Sequence, residues 1–188
     1  EKDAPGGYRK YCHLSTGNYN EKTAKVYEDL SLFTCHPEIG EDMIQLFHYL
    51  TGAASLKGMK RLIVSPLMTR GFFRAQAEEE IAMVRKGKKG RICCKVNAII
   101  DKEMMGLLIH AAEEGVEVQL LVRGICSLPP IPGIRIRSIV GRFLEHSRIY
   151  IFGVGERRRA YLGSMDLMER NFDRRGEVLF PILDPENA

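Results

Sequence analysis

The sequence predicts an α/β domain built on a mixed sheet, and three observations carry that reading. From Arg61 to Val122, apolar strand-like runs alternate with amphipathic helical ones. From Ile134 onward, strand-like runs follow one another with only a short helix between them. The composition is that of an ordinary globular protein, with 45% apolar and 28% charged residues and no low-complexity tract in 188 residues. That length holds one sizeable domain, or one domain and part of another.

Each element has a local reason. Arg9 to Leu14 reads as a strand that ends in the polar turn Ser15 to Asn20. A brief helix or turn follows over Glu21 to Glu28, then a strand over Leu30 to Thr34. Pro37 to Tyr49 reads as a helix, with Pro37 in its first turn and Ile39, Met43, Leu46, Phe47 and Leu50 at helical spacing. His36 stands where a cap would, and His48 on the solvent face. After a loop over Gly52 to Lys60, a new unit opens with a strand, Arg61 to Ser65, and a helix, Thr69 to Arg85. The basic run from Arg85 to Arg91 complements the helix C-terminus and then turns. Ile92 to Val96 is a strand. Asp101 to Glu114 is a helix with Met104, Leu107, Leu108 and Ala111 inward, His110 on its face and Gly115 as its stop. Strands follow at Val116–Val122, Ile134–Val140, Arg148–Phe152, Arg159–Leu162 and Val178–Ile182. A Pro-rich loop spans Ser127–Gly133, and a turn with a short helix spans Gly163–Asn171.

Charge and cysteine usage exclude several classes. A net charge of +4 leaves no bulk footprint for nucleic acid or membrane. No apolar run reaches the length of a membrane span, and no secretory segment opens the chain. Five cysteines without framework spacing fit reducing cytosol, so a cytoplasmic location is expected. Cys12, Cys35, Cys93 and Cys126 lie in or beside apolar runs and read as small buried side chains. The opening Glu1 to Gly7 reads as a loop between two strands, so the chain is expected to start inside a domain of a longer protein.

The stretch Arg142–Phe152 carries the chemistry. Period-two spacing puts His146, Arg148, Tyr150 and Phe152 on one strand face. A guanidinium forks onto phosphate oxygens, and an imidazole moves a proton or takes up a phosphoryl group near neutral pH. The bland alternative is a histidine that merely starts a strand beside a solvated arginine. Two patterns weigh against it. From Arg123 to the end there are eleven arginines and no lysine, against six carboxylates from Arg123 to Glu177. Arg123 itself ends a buried-looking strand just before Gly124, where α/β sheets hold their ligands, whereas Arg157, Arg158 and Arg159 read as a hairpin turn. There is also an internal echo. Ser15-Thr16-Gly17-Asn18 is followed nine and eleven residues after Asn18 by Tyr27 and Asp29. Gly163-Ser164-Met165-Asp166 is followed at the same intervals by Arg175 and Glu177. Two such units facing each other would form one site between similar domains, each contributing a histidine.

These residues resemble a known family. A strand histidine, a basic residue two further on and a Gly-Ser after the next strand resemble the phospholipase D-like superfamily. More narrowly, His13–Asn20, Lys22–Asp29, Leu121–Cys126, Arg137–Tyr150 and Met168–Arg175 are similar to the C-terminal part of the long, phosphohistidine-type bacterial polyphosphate kinases. The resemblance implies a phospholipase D-like mixed-sheet domain over residues 57–188, preceded over residues 1–56 by the tail of a second such domain. It implies reversible transfer of the ATP terminal phosphate to polyphosphate, with Mg2+. The phosphorylated histidine and the residues associated with Mg2+ would lie upstream of this chain, and His13 would be structural. It further implies catalysis and nucleotide contact by His146, nucleotide contact by Tyr27 and Arg123, and phosphate or polyphosphate contact by Arg175, Glu177 and Arg148. The expected partners are ATP, ADP and polyphosphate, without nucleic acid or a transmembrane segment, in a homo-oligomeric parent that could lie peripheral to the membrane. The chain alone is expected to be inactive. Two other classes stay open: a phospholipase D-like phosphodiesterase or nuclease with water as acceptor, and a non-catalytic polyanion-binding module.

Overall fold

The computed structural model of the chain describes residues 8–184. The first portion runs β1 (Cys12–Ser15), α1 (Glu21–Ala24), β2 (Tyr27–Glu28), β3 (Ser31–Thr34) and α2 (Pro37–Leu50). The second runs β4 (Ile63–Ser65), α3 (Thr69–Arg85), β5 (Arg91–Val96), α4 (Lys102–Glu113), β6 (Glu117–Val122) and β7 (Ile134–Arg137). It continues with β8 (Leu144–Glu145), β9 (Arg148–Phe152), β10 (Arg159–Gly163), α5 (Glu169–Asp173) and β11 (Glu177–Ile182).

Seven strands form one sheet in the order β4-β11-β10-β9-β5-β6-β7. The β5–β6 pair is parallel, joined by the α4 crossover, and β6–β7 is parallel with a loop between the strands, while β9, β10, β11 and β4 join as antiparallel neighbours. The expected mixed sheet is therefore present. Strand β5 alternates so that Ile92, Cys94 and Val96 are buried, and they meet Phe73, Ala77 and Ile81 of α3 and Met104, Leu108 and Ala111 of α4. Asp101 caps α4 by accepting from Met104 N at 2.9 Å, and Gly115 at φ +91° ends it. Glu80, mid-helix in α3, is fully buried and accepts from Arg91 N and Arg157.

A second, smaller core of Leu14, Ile39, Leu62, Leu162 and Phe180 fastens the first portion to the sheet. Beside it, the Asp42 carboxylate is fully buried and accepts from the backbone N–H groups of Lys60, Arg61 and Leu62 at 2.6–3.0 Å. Salt bridges Lys60–Glu41 and Arg61–Glu38 flank it.

Several expectations are corrected. The first strand starts at Cys12 rather than Arg9, and β7 stops at Arg137 rather than Val140. His36 caps nothing: its side chain makes no capping bond to α2, and its Nδ1 has no partner. Of the cysteines expected to be buried, Cys35 is exposed, because it follows an edge strand, and Cys12, Cys93 and Cys126 are half-buried, while Cys94 is the deeply buried thiol. The parallel pair β2–β8 was not legible, since two-residue strands carry no period. The expected opening loop lies outside the described residues.

Candidate active site

The pair β2–β8 builds the site. Residues 27 and 28 align with 144 and 145, and the carbonyl of Glu28 then accepts from the N–H groups of both His146 and Ser147 at 3.0 and 3.1 Å. This brings a segment of the first portion against the histidine. The Tyr27 ring stacks on the His146 ring with centroids 4.2 Å apart and planes at 21°. His146 Nδ1 lies 2.9 Å from Asp29 Oδ2 and 3.1 Å from Oδ1. The Thr16 hydroxyl donates to Asp29 Oδ1 at 2.7 Å. Gly17 is required here, because a Cβ would stand 2.5 Å from Asp29 Oδ2.

On the other side stands Arg148, buried at the start of β9. Its Nε and Nη2 engage Asp166 at 3.2 and 3.0 Å, and its Nη1 donates to the His146 carbonyl at 2.8 Å. The same Nη1 lies 3.0 Å from His146 Nε2. Burial lowers the pKa of His146 from its ordinary value; Asp29 opposes that through its hydrogen bond, and Arg148 and Arg123 reinforce it. A neutral ring satisfies these contacts with Nδ1–H donating to Asp29 and the Nε2 lone pair toward Arg148.

Asn97, just after β5, ties the site together. Its Oδ1 accepts from Arg123 Nε at 2.8 Å, its Nδ2 points at the His146 carbonyl at 3.4 Å, and its N–H donates to Asp166 at 2.7 Å. Gly124 lets the chain pass, since a Cβ there would lie 2.8 Å from the Asn97 carbonyl. Lys95 holds the residues flanking the histidine, donating to Ser147 O at 3.1 Å and pairing with Glu145 at 2.9 Å.

The structure thus gathers His146, Tyr27, Arg148 and Arg123. Arg175 is exposed in the turn before β11 and has no described contact with them. Glu177 opens β11, buried, accepting from Ser164 Oγ and from Asn171 Nδ2 at 2.7 Å. Asp29, Asp166, Asn97, Lys95 and Thr16 were absent from the expected site. Asp29 had a signal, because it holds the place in the first echo that Glu177 holds in the second. Asn97 and Lys95 had none.

The echo is structural. Thr16 reaches Asp29 and Ser164 reaches Glu177, thirteen residues on in each case. The registers superpose too: Cys12 faces Thr34 and Leu14 faces Leu32, as Ala160 faces Ile182 and Leu162 faces Phe180. Residue n of the first copy corresponds throughout to residue n + 148 of the second, down to the starts of α1 at Glu21 and α5 at Glu169. Among the described residues, no cluster of His, Cys, Asp and Glu is arranged to hold a metal ion, and no helix is long and apolar enough to cross a membrane.

Fold and site define an α/β protein with two copies of a strand–turn–strand unit and a histidine–carboxylate pair assembled across them. The chain belongs to the polyphosphate kinase family: "Polyphosphate kinase C-terminal domain 2" matches residues 62–188 and "Polyphosphate kinase C-terminal domain 1" matches residues 1–56. The polyphosphate kinase of Parasynechococcus marenigrum is 44% identical over 182 residues, which cover 94% of this chain and 26% of that protein. That of Prosthecochloris aestuarii is 48% identical over 183 residues, covering 95% and 26%. The crystal structure of polyphosphate kinase from Porphyromonas gingivalis superposes with a TM-score of 0.89 at 39% identity, over 98% of this chain and 29% of that one. The chain spans about a quarter of the length of the curated relatives it matches.

Proposed function

We propose that this chain forms one half of the active site of a polyphosphate kinase, which transfers the terminal phosphate of ATP to polyphosphate and back. The observation that carries the reading is the His146–Asp29 pair, joined across the two copies and lying beside Arg148 and Arg123. Phosphoryl transfer asks chiefly for placement and for neutralisation of charge on the transferred group.

Within this reading residues 1–56 close a first phospholipase D-like domain and residues 57–188 form the second. Glu177, as the counterpart of Asp29, receives a histidine of the first domain that lies upstream of the chain. That histidine is the nucleophile. Its ring nitrogen bonds to the γ-phosphorus as the bond from that phosphorus to the ADP oxygen breaks. A terminal oxygen of polyphosphate then takes the phosphoryl group from nitrogen. His146, neutral at Nε2, accepts the proton that the incoming phosphate gives up. Tyr27 contacts the nucleotide beside the imidazole. Arg123, anchored at Nε by Asn97, turns its remaining N–H groups to nucleotide phosphate. Arg148 acts by its charge, its Nε and Nη2 being engaged by Asp166 and its Nη1 by the His146 carbonyl, and Arg175 meets the polymer further out. Mg2+ would serve as the nucleotide's counter-ion. Among the described residues, no cluster of His, Cys, Asp and Glu offers it a ligand set. The setting is cytoplasmic and the parent homo-oligomeric.

The test is a full-length polyphosphate kinase carrying this sequence, incubated with ATP labelled at the terminal phosphate. Wild type should form acid-labile phosphoprotein and extend polyphosphate, and His146→Ala should lose polymer growth. Hydrolysis of a generic phosphodiester with no labelled histidine would replace this reading with a phospholipase D-like one.

A further inference from the structure

We propose that Thr16 is a positioning residue of this site: its hydroxyl holds the Asp29 carboxylate aimed at His146, and the Ser164 hydroxyl holds the Glu177 carboxylate in the same manner. The proposal rests on the phosphoryl-transfer reading above and deepens it.

The direction of the Thr16 proton follows from its neighbours. Leu30 N–H donates to Thr16 Oγ1 at 3.0 Å, which occupies one lone pair. Two acceptors remain in reach, Asp29 Oδ1 at 2.7 Å and the Leu30 carbonyl at 3.5 Å. Thr16 is fully buried, so no bulk water competes. The proton therefore points at the carboxylate, forming a charge-assisted bond. The other carboxylate oxygen faces His146 Nδ1 at 2.9 Å. Gly17, having no Cβ, leaves the space this carboxylate occupies: a Cβ there would stand 2.5 Å from Asp29 Oδ2.

The second copy repeats the device with different residues. Ser164 Oγ donates to Glu177 Oε2, and Asn171 Nδ2 donates to Oε1 at 2.7 Å. Threonine has become serine and aspartate has become glutamate, yet the hydroxyl-to-carboxylate bond persists at the same offset. A bond that persists while both of its residues differ marks a requirement at that place rather than an accident of packing.

The consequence is electrostatic. A donor on a carboxylate stabilises the anion and weakens its pull on a neighbouring proton. Among the groups facing the His146 ring, Asp29 favours the charged form, while Arg148 and Arg123 disfavour it. Tyr27 covers one ring face, Glu28 presents only its carbonyl, and Lys95 with Glu145 and Asp166 with Arg148 are already paired. Removing the Thr16 hydroxyl would leave the Asp29 charge unshared before His146 Nδ1, and the ring would hold a proton to higher pH.

The experiment measures polyphosphate synthesis against pH, from about pH 5 to pH 9, in the full-length kinase as wild type, Thr16→Val and Thr16→Ser. Thr16→Val should move the acid limb of kcat/KM upward by roughly half a pH unit or more, and Thr16→Ser should keep the wild-type limb. The pair Ser164→Ala and Ser164→Thr should behave likewise, and it decides the matter should Thr16→Val fail to fold. A Thr16→Val profile that overlays wild type, or a pH-independent loss shared by the serine and valine variants, overturns the proposal. A wild type that makes no polyphosphate, or one indifferent to His146→Ala, overturns the reading of function instead.

Discussion

The carboxylate of Asp29 lies 2.9 Å from Nδ1 of His146, although 117 residues separate them in the chain. The contact joins the first copy of the repeat to the strand segment that leads toward the second. Asp29→Asn keeps the shape but removes the charge that orients the ring and stabilises its protonated form. We expect kcat for polyphosphate synthesis to fall by about 10²- to 10⁴-fold, with KM for ATP changed far less. Steady-state kinetics on the full-length enzyme would show it, and a kcat within a factor of two or so of wild type would remove Asp29 from the mechanism.

Arg123 is aimed by Asn97, whose Oδ1 holds Nε at 2.8 Å. Arg123→Ala should weaken ATP binding about 10- to 100-fold, the worth of a hydrogen bond to a charged group. Asn97→Ala should weaken it less, because the guanidinium remains but loses its anchor. Calorimetric titration with a non-hydrolysable ATP analogue separates the two. An Asn97→Ala protein that binds more weakly than Arg123→Ala would contradict the anchoring role.

How much of this could be read in advance varied with the physics. Long elements with one dominant period were legible: the helix from Thr69 to Arg85 and the strand from Arg148 to Phe152 fall where their apolar spacing puts them. The echo was legible because turn residues and an acid recur at fixed intervals. Its meaning at Asp29 was not, because a contact 117 residues away leaves no trace in local spacing. Asn97 and Lys95 were hidden for the same reason, being polar residues at the end of an ordinary apolar strand. Arg148 shows the converse. Its residue type pointed to phosphate, while the fold directs two of its nitrogens to Asp166.

The chain by itself should make no polyphosphate. Glu177 is held by Ser164 and Asn171, and among the described residues no histidine pairs with it as His146 pairs with Asp29. Residues 1–188 expressed alone and supplied with ATP and Mg2+ should yield no polymer above background. Polymer growth would show that the second histidine is dispensable.

Stability should depend on pH through His146. Its folded pKa is lowered from 6.5, chiefly by burial. The unfolded chain therefore takes up a proton first as pH falls. Stability from this group is fully present above pH 6.5 and is lost as pH falls through that value toward the lower folded pKa. Thermal midpoints measured across that window should fall with acid in wild type, and fall less in His146→Gln. Parallel curves would mean that the ring's burial does not govern its charge.

The junction between the two portions depends on Asp42. Its carboxylate is fully buried and accepts from three consecutive backbone N–H groups, at Lys60, Arg61 and Leu62. No other acceptor is shown for these donors, so Asp42→Ala strands them, at about 1–3 kcal/mol for each donor that water does not reach. We expect a loss of roughly 3 kcal/mol in denaturant unfolding, and a smaller loss for Asp42→Asn, which keeps one acceptor oxygen. The effect should reach the active site. Leu62 leads into β4, which pairs with β11 at Glu177, while α2 packs on β1, which leads to Thr16. A loosened junction lets Tyr27 and Asp29 withdraw from His146. Histidine-selective labelling should then show the ring titrating closer to its ordinary value in Asp42→Ala, at a temperature where the protein remains folded. A destabilised variant whose His146 titration is unchanged would confine Asp42 to stability alone.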